Sequence, residues 1–102
     1  MTFLCLEVDL PVTPDTLARC LVVAEAMLRD RGCGLCGQPA GKVGLYIPKH
    51  YHNAILPNGR VMVPCYVLCP SCKDDPAITT TVVEEGDAVL ASYQPDTSYQ
   101  WN

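Results

Sequence analysis

Four cysteines stand in two Cys-x-x-Cys pairs, Cys33-Gly34-Leu35-Cys36 and Cys69-Pro70-Ser71-Cys72, with 32 residues between the pairs. A two-residue spacer lets both sulfurs of one tight turn reach a single ion, and zinc favours four thiolate or imidazole ligands in a tetrahedron. The spacing predicts a closed site in which Cys33, Cys36, Cys69 and Cys72 hold one Zn2+. Such a site has no vacant position for water, so the ion is expected to supply folding energy and no catalysis. Gly34 and Gly37 border the first pair, where a reversal around a metal suits positive φ.

Competing chemistries fit these residues less well. A zinc nucleobase deaminase needs His-x-Glu and then Pro-Cys-x-x-Cys. Here Pro64-Cys65 is followed by its next cysteine four residues on, and neither His50 nor His52 leads to the required Glu. A thioredoxin-like pair follows a strand and opens a helix, whereas Cys33 comes at the end of a helical pattern. Neither pair is followed by His, which removes c-type haem. His50 and His52 would share one face of an extended segment, but with four better ligands present they read as exposed loop histidines. Seven cysteines cannot pair completely as disulfides. Cys5, Cys20 and Cys65 are left as lone thiols, expected as small core residues of a reducing cytoplasm. Cys65 has a lesser alternative, substitution into the metal site four residues before Cys69.

The elements that must position the site read as follows. Residues Thr2–Val8 suit a strand, closed by Asp9 and Pro11. A helix follows, with Thr13 as N-cap, Pro14 in its first turn, and Leu17, Leu21, Ala24 and Leu28 on an apolar face beside Cys20 and Met27. Arg29, Arg31 and Gly32 mark its end. Lys42–Ile47 and Arg60–Leu68 read as two strands joined by a loop that ends in the Asn58-Gly59 turn. Pro64 is expected at an edge or a bulge. Ala77–Glu84 is rich in β-branched residues and reads as a further strand, with Gly86-Asp87 turning the chain back through Ala88–Tyr93. The polar tail is expected to fray, although Tyr99 and Trp101 could dock. This predicts one α+β domain over residues 1–95, with a small antiparallel sheet, one N-terminal helix and a zinc-holding hairpin, then a tail over 96–102.

The stretch from Cys33 to about Asp75 resembles the zinc-ribbon and treble-clef families, through its two cysteine pairs and the hairpin between them. The resemblance implies a bound zinc but little about function, since those families serve many roles. The second pair, Leu68-Cys69-Pro70-Ser71-Cys72-Lys73-Asp74-Asp75, also looks like that of HNH nucleases. Those enzymes usually have Asp or His beside the catalytic His and an Asn shortly before the second pair. Here Tyr51 precedes His52, and Val61–Val67 contains no Asn.

Charge narrows the function further. The formal net charge is −4, and four thiolates with one Zn2+ bring it to about −6. Of seven basic residues only Arg29 and Arg31 lie close together, so the footprint of a nucleic-acid binder is missing. No apolar run reaches the roughly 20 residues needed to span a bilayer, and the N-terminal residues lack the features of a signal peptide. The expectation is a non-catalytic cytoplasmic protein that binds another protein, as adaptor or inhibitor. Tyr51, Ile55 and Leu56 are its expected anchors. A nucleic-acid-binding zinc ribbon using Lys42, Lys49, Arg60 and Tyr51 is the alternative, and a degenerate HNH-like protein the second.

Overall fold

The computed structural model describes residues 1–38, 41–49 and 54–93. Its elements are β1 (Leu4–Val8), α1 (Pro14–Leu28), β2 (Lys42–Leu45), β3 (Val61–Leu68), α2 (Pro70–Lys73) and α3 (Ile78–Tyr93). The three strands make one antiparallel sheet in the order β1-β3-β2. This is a small α+β fold, as the hydrophobic patterning predicts.

Strand β3 organises the molecule because it is apolar on both faces. Val63, Cys65 and Val67 point to one side, where they meet Cys20, Ala24 and Leu28 of α1. Met62 and Tyr66 point to the other, where Val82 and Leu90 of α3 close a second cluster with Tyr46 and Ala54. A strand buried on both faces reads as a nearly continuous apolar run, and seven of the eight β3 residues are buried. Helices therefore cover both faces of the sheet.

Helix α1 starts where its cap predicts. The Thr13 hydroxyl accepts from Thr16 N at 3.2 Å, and the Thr16 hydroxyl accepts from Thr13 N at 3.3 Å. Its buried stripe is Cys20, Ala24 and Leu28, four residues apart, while Leu17 and Leu21 are half-buried at the margin. Met27 is 55% exposed. The face is thus rotated from the leucine-centred one expected, because small Cys20 and Ala24 let the helix approach the sheet closely.

Two readings of the sequence are overturned. Residues 78–93 form a helix rather than two strands. Asp75 opens it, its carboxylate accepting from Ala77 N at 2.9 Å. Val82, Gly86 and Leu90 then fall on one buried stripe. Burial of that stripe overrides the β preference of the Thr and Val residues. Gly86 lies under the ring of Tyr46, and a Cβ there would strike it.

Pro64 does not mark an edge. It sits in the central strand, fully buried. Its carbonyl accepts from Tyr46 N at 2.8 Å, one residue beyond the end of β2. The donor that proline lacks would have faced the place where the hairpin ladder stops, so little is lost.

Candidate metal centre

The hairpin of β2 and β3 carries the two cysteine pairs at its open end, one before β2 and one after β3. Lys42 pairs with Leu68, which places the chain leaving the first pair beside the chain entering the second. The first pair lies in a turn stitched to the sheet on both sides. Gly34 N donates to Val67 O at 2.8 Å, and Thr2 N donates to Gly34 O at 3.3 Å. Cys33 N donates to Gln38 O at 2.7 Å, and Gly37 N donates to Cys33 O at 3.0 Å, closing the reversal. Gly37 takes φ +77°, the left-handed conformation that glycine permits. Gly34 does not share it; its place is set by packing against Thr2 and Val67.

The second pair opens a helix. Cys69 is the N-cap of α2, and its sulfur accepts from Cys72 N at 3.5 Å. The Cys33 sulfur likewise accepts from Leu35 N at 3.5 Å. Each pair thus presents a sulfur to a backbone N–H two or three residues on, which favours the charged form of a thiol.

All four sulfurs lie within 4.8 Å of one another, and those of Cys36 and Cys69 are 3.5 Å apart. A tetrahedral zinc–thiolate site, with bonds of about 2.3 Å, requires sulfurs about 3.8 Å apart. The donor set fits zinc in number, type and spacing. Among the described residues this is the one cluster of three or more metal-ligating side chains.

The electrostatics also call for a cation. Burial pushes the Cys33 thiol up, but backbone N–H groups of Cys36, Cys69 and Leu35 outweigh it and hold the thiol at about 6. At Cys36 the Gln38 N–H favours the thiolate, yet the Cys69 thiol, burial and the Cys33 thiol together raise it above its usual value. Hydrogen bonds to Cys36 and Cys69 raise Cys72, with burial adding to them. One site takes negative charge readily; its neighbours then resist. A divalent ion removes that conflict.

No family model, curated protein or solved structure matches this chain.

The remaining cysteines stand apart from the cluster. Cys20 and Cys65 are buried between α1 and the sheet, and Cys5 is half-buried. Cys65 donates to Val63 O at 3.5 Å, and burial first, with the neighbouring Cys20 and Cys5, pushes it up to about 12. It is a packed thiol. His50, Tyr51 and His52 lie outside the described residues, as do Tyr99 and Trp101. Of the expected binding loop, Ala54 is buried, while Ile55 and Leu56 are half-buried against the second cluster. Ile55 forms a β-bridge with Val61.

Sequence reasoning missed a groove beside that loop. It has a volume of about 630 Å³, with Val61, Met62 and Val63 beside Leu10, Leu17 and Ile47 in its lining. Leu10 and Ile47 are each 46% exposed. Proline-flanked aliphatics at 10–12 and 47–48 were its only trace in the sequence.

Proposed function

We propose that this chain is a small non-catalytic protein-interaction module whose fold is closed by one structural zinc. What supports this reading best is the separation of the metal-ligating cluster from the apolar groove. The four sulfurs are engaged with one another at the open end of the hairpin. The groove lies at the other end of β3, lined by apolar side chains in a volume typical of binding clefts. Leu10 and Ile47 take over the anchoring role expected of Ile55 and Leu56, which the core claims. No helix among the described residues is long and apolar enough to cross a membrane.

The nucleic-acid alternative loses one of its cations to an internal task. Arg60 donates through Nε to Asp9 at 3.1 Å and through Nη2 to Glu7 O at 3.2 Å. The test uses Leu10→Glu with Ile47→Glu. Capture of a partner by the tagged protein should be lost, with zinc content and melting temperature unchanged. Salt-sensitive shifts of DNA or RNA by the wild-type protein, untouched by the double substitution, would refute the reading.

A further inference from the structure

The sheet has two edges, and β1 forms one of them. The ladders determine which backbone groups face outward there. Tyr46 N donates to Pro64 O, so Pro64 turns its backbone toward β2. Alternate residues of a central antiparallel strand turn to alternate neighbours, so Val63 and Cys65 face β1. Their partners Leu6 and Leu4 bond inward, and Cys5 and Glu7 turn their N–H and C=O groups outward. Arg60 reaches Glu7 O from that side. Among the described residues nothing pairs with the N–H of Cys5 or Glu7.

Natural edge strands are usually blunted by lysine, proline or a bulge. The segment Leu4–Val8 contains no lysine or proline, and its pairing with β3 is continuous. Leu4, Leu6 and Val8 are only half-buried against α1. The helix adds to the exposure. Glu25 and Arg29 line a hollow with Lys42 and Val43 of β2, so the opposite flank of α1 lies toward β1. That flank leaves Val23 44% and Met27 55% exposed.

We propose that β1 pairs antiparallel with β1 of a second copy of this chain, about a twofold axis at Leu6, to make a six-stranded sheet. An identical strand offers the same outward donors and acceptors, so the twofold satisfies both copies at once. In this register Cys5 exchanges backbone bonds with the partner's Glu7, and Glu7 with the partner's Cys5. Glu7 O has a second lone pair beside the one Arg60 uses. A register with Glu7 opposite the partner's Glu7 would set like charges face to face. The pairing chosen covers Leu4, Leu6 and Val8 and brings the Val23–Met27 flank against its copy. A five-residue strand of about 17 Å with one helix flank falls short of the roughly 800 Å² per partner of a standard interface. The dimer is therefore reversible, with a dissociation constant of about 1–100 µM.

Sedimentation equilibrium over a concentration series, on zinc-loaded protein, tests this. Wild type should pass from monomer to dimer across that range. Glu7→Pro removes an outward N–H that the sheet does not use, so it should be monomeric with unchanged zinc content, while Glu7→Ala keeps the N–H and should still dimerise. Met27→Glu sits on the exposed flank and should raise the dissociation constant about tenfold or more. It decides the matter should Glu7→Pro fail to fold. A wild-type chain monomeric up to about 1 mM, a folded Glu7→Pro that still dimerises, or no effect of Met27→Glu would each overturn the proposal.

Discussion

Cys33 is held at about 6 by the backbone N–H groups around it, while Cys36 and Cys72 are raised above their usual value of 9.0. In the metal-free protein at neutral pH, Cys33 is a thiolate and the other two carry protons. Zinc binding must displace those protons, so loading at pH 7 should release at least two per ion. Calorimetric titration in buffers of different ionisation enthalpy measures this directly, and release of fewer than one would contradict the site. The sign for acid follows. The loaded form holds fewer protons, so lowering the pH opposes loading. As pH falls through about 6, Cys33 also takes a proton, and the stability its depressed value contributed is lost. Zinc retention should therefore fall more steeply below pH 6 than between 8 and 7.

At the scale of elements, α3 shows what patterning cannot read alone. Thr79, Thr80, Thr81, Val82 and Val83 all favour strands, and Gly86 reads as a turn. Their helical meaning depends on a ring 40 residues away, since Gly86 packs under Tyr46 and the Tyr46 hydroxyl donates to Asp87. The clue available was Val82, Gly86 and Leu90 at helical spacing, and glycine is an unusual member of an apolar stripe. Helix α1 was legible because its cap and stripe are local. Its exact face was not, since small side chains decide the approach. Gly86→Ala makes the difference measurable. In an ordinary helix interior it would stabilise by about 1 kcal/mol. Here the added methyl meets a buried ring, and the protein should lose about 1–3 kcal/mol in denaturant unfolding. On α1, Leu28→Ala should cost about 2–5 kcal/mol as a core truncation, and Leu21→Ala clearly less because Leu21 is half-buried.

For the whole molecule, the metal centre is joined to the core under α3 through shared residues. Cys33 and Cys69 pack with Leu68 in a third cluster, against which Met1, Tyr66 and Ile78 lie. Removing the ion should therefore loosen the hairpin and also the start of α3. Chelation is expected to lower the melting temperature, and the recovery should grow with the logarithm of the free zinc restored. Cys36→Ser and Cys69→Ser should abolish stoichiometric zinc and reproduce the chelated melting curve. Zinc-free protein, freshly purified and reduced, that melts as the wild type does would remove the ion from the fold. The gathering of Cys33, Cys36, Cys69 and Cys72 was legible from spacing alone, because two Cys-x-x-Cys turns at the ends of paired strands bring their sulfurs together. The groove was not, because it depends on where a hairpin stops.

That stopping point traces to Pro64. Past Tyr46 the hairpin could zip further only if β3 returned a bond from position 64, and proline has no hydrogen to give. Regular pairing ends at Leu45, the chain peels away through Ile47 and Pro48, and between the Ile55–Val61 bridge and Pro64 only Met62 and Val63 keep a strand neighbour on one side alone. Pro48, which the same register would set opposite Met62, lacks the next donor as well. Two absent hydrogens act as a doorstop at the cleft between the two loops.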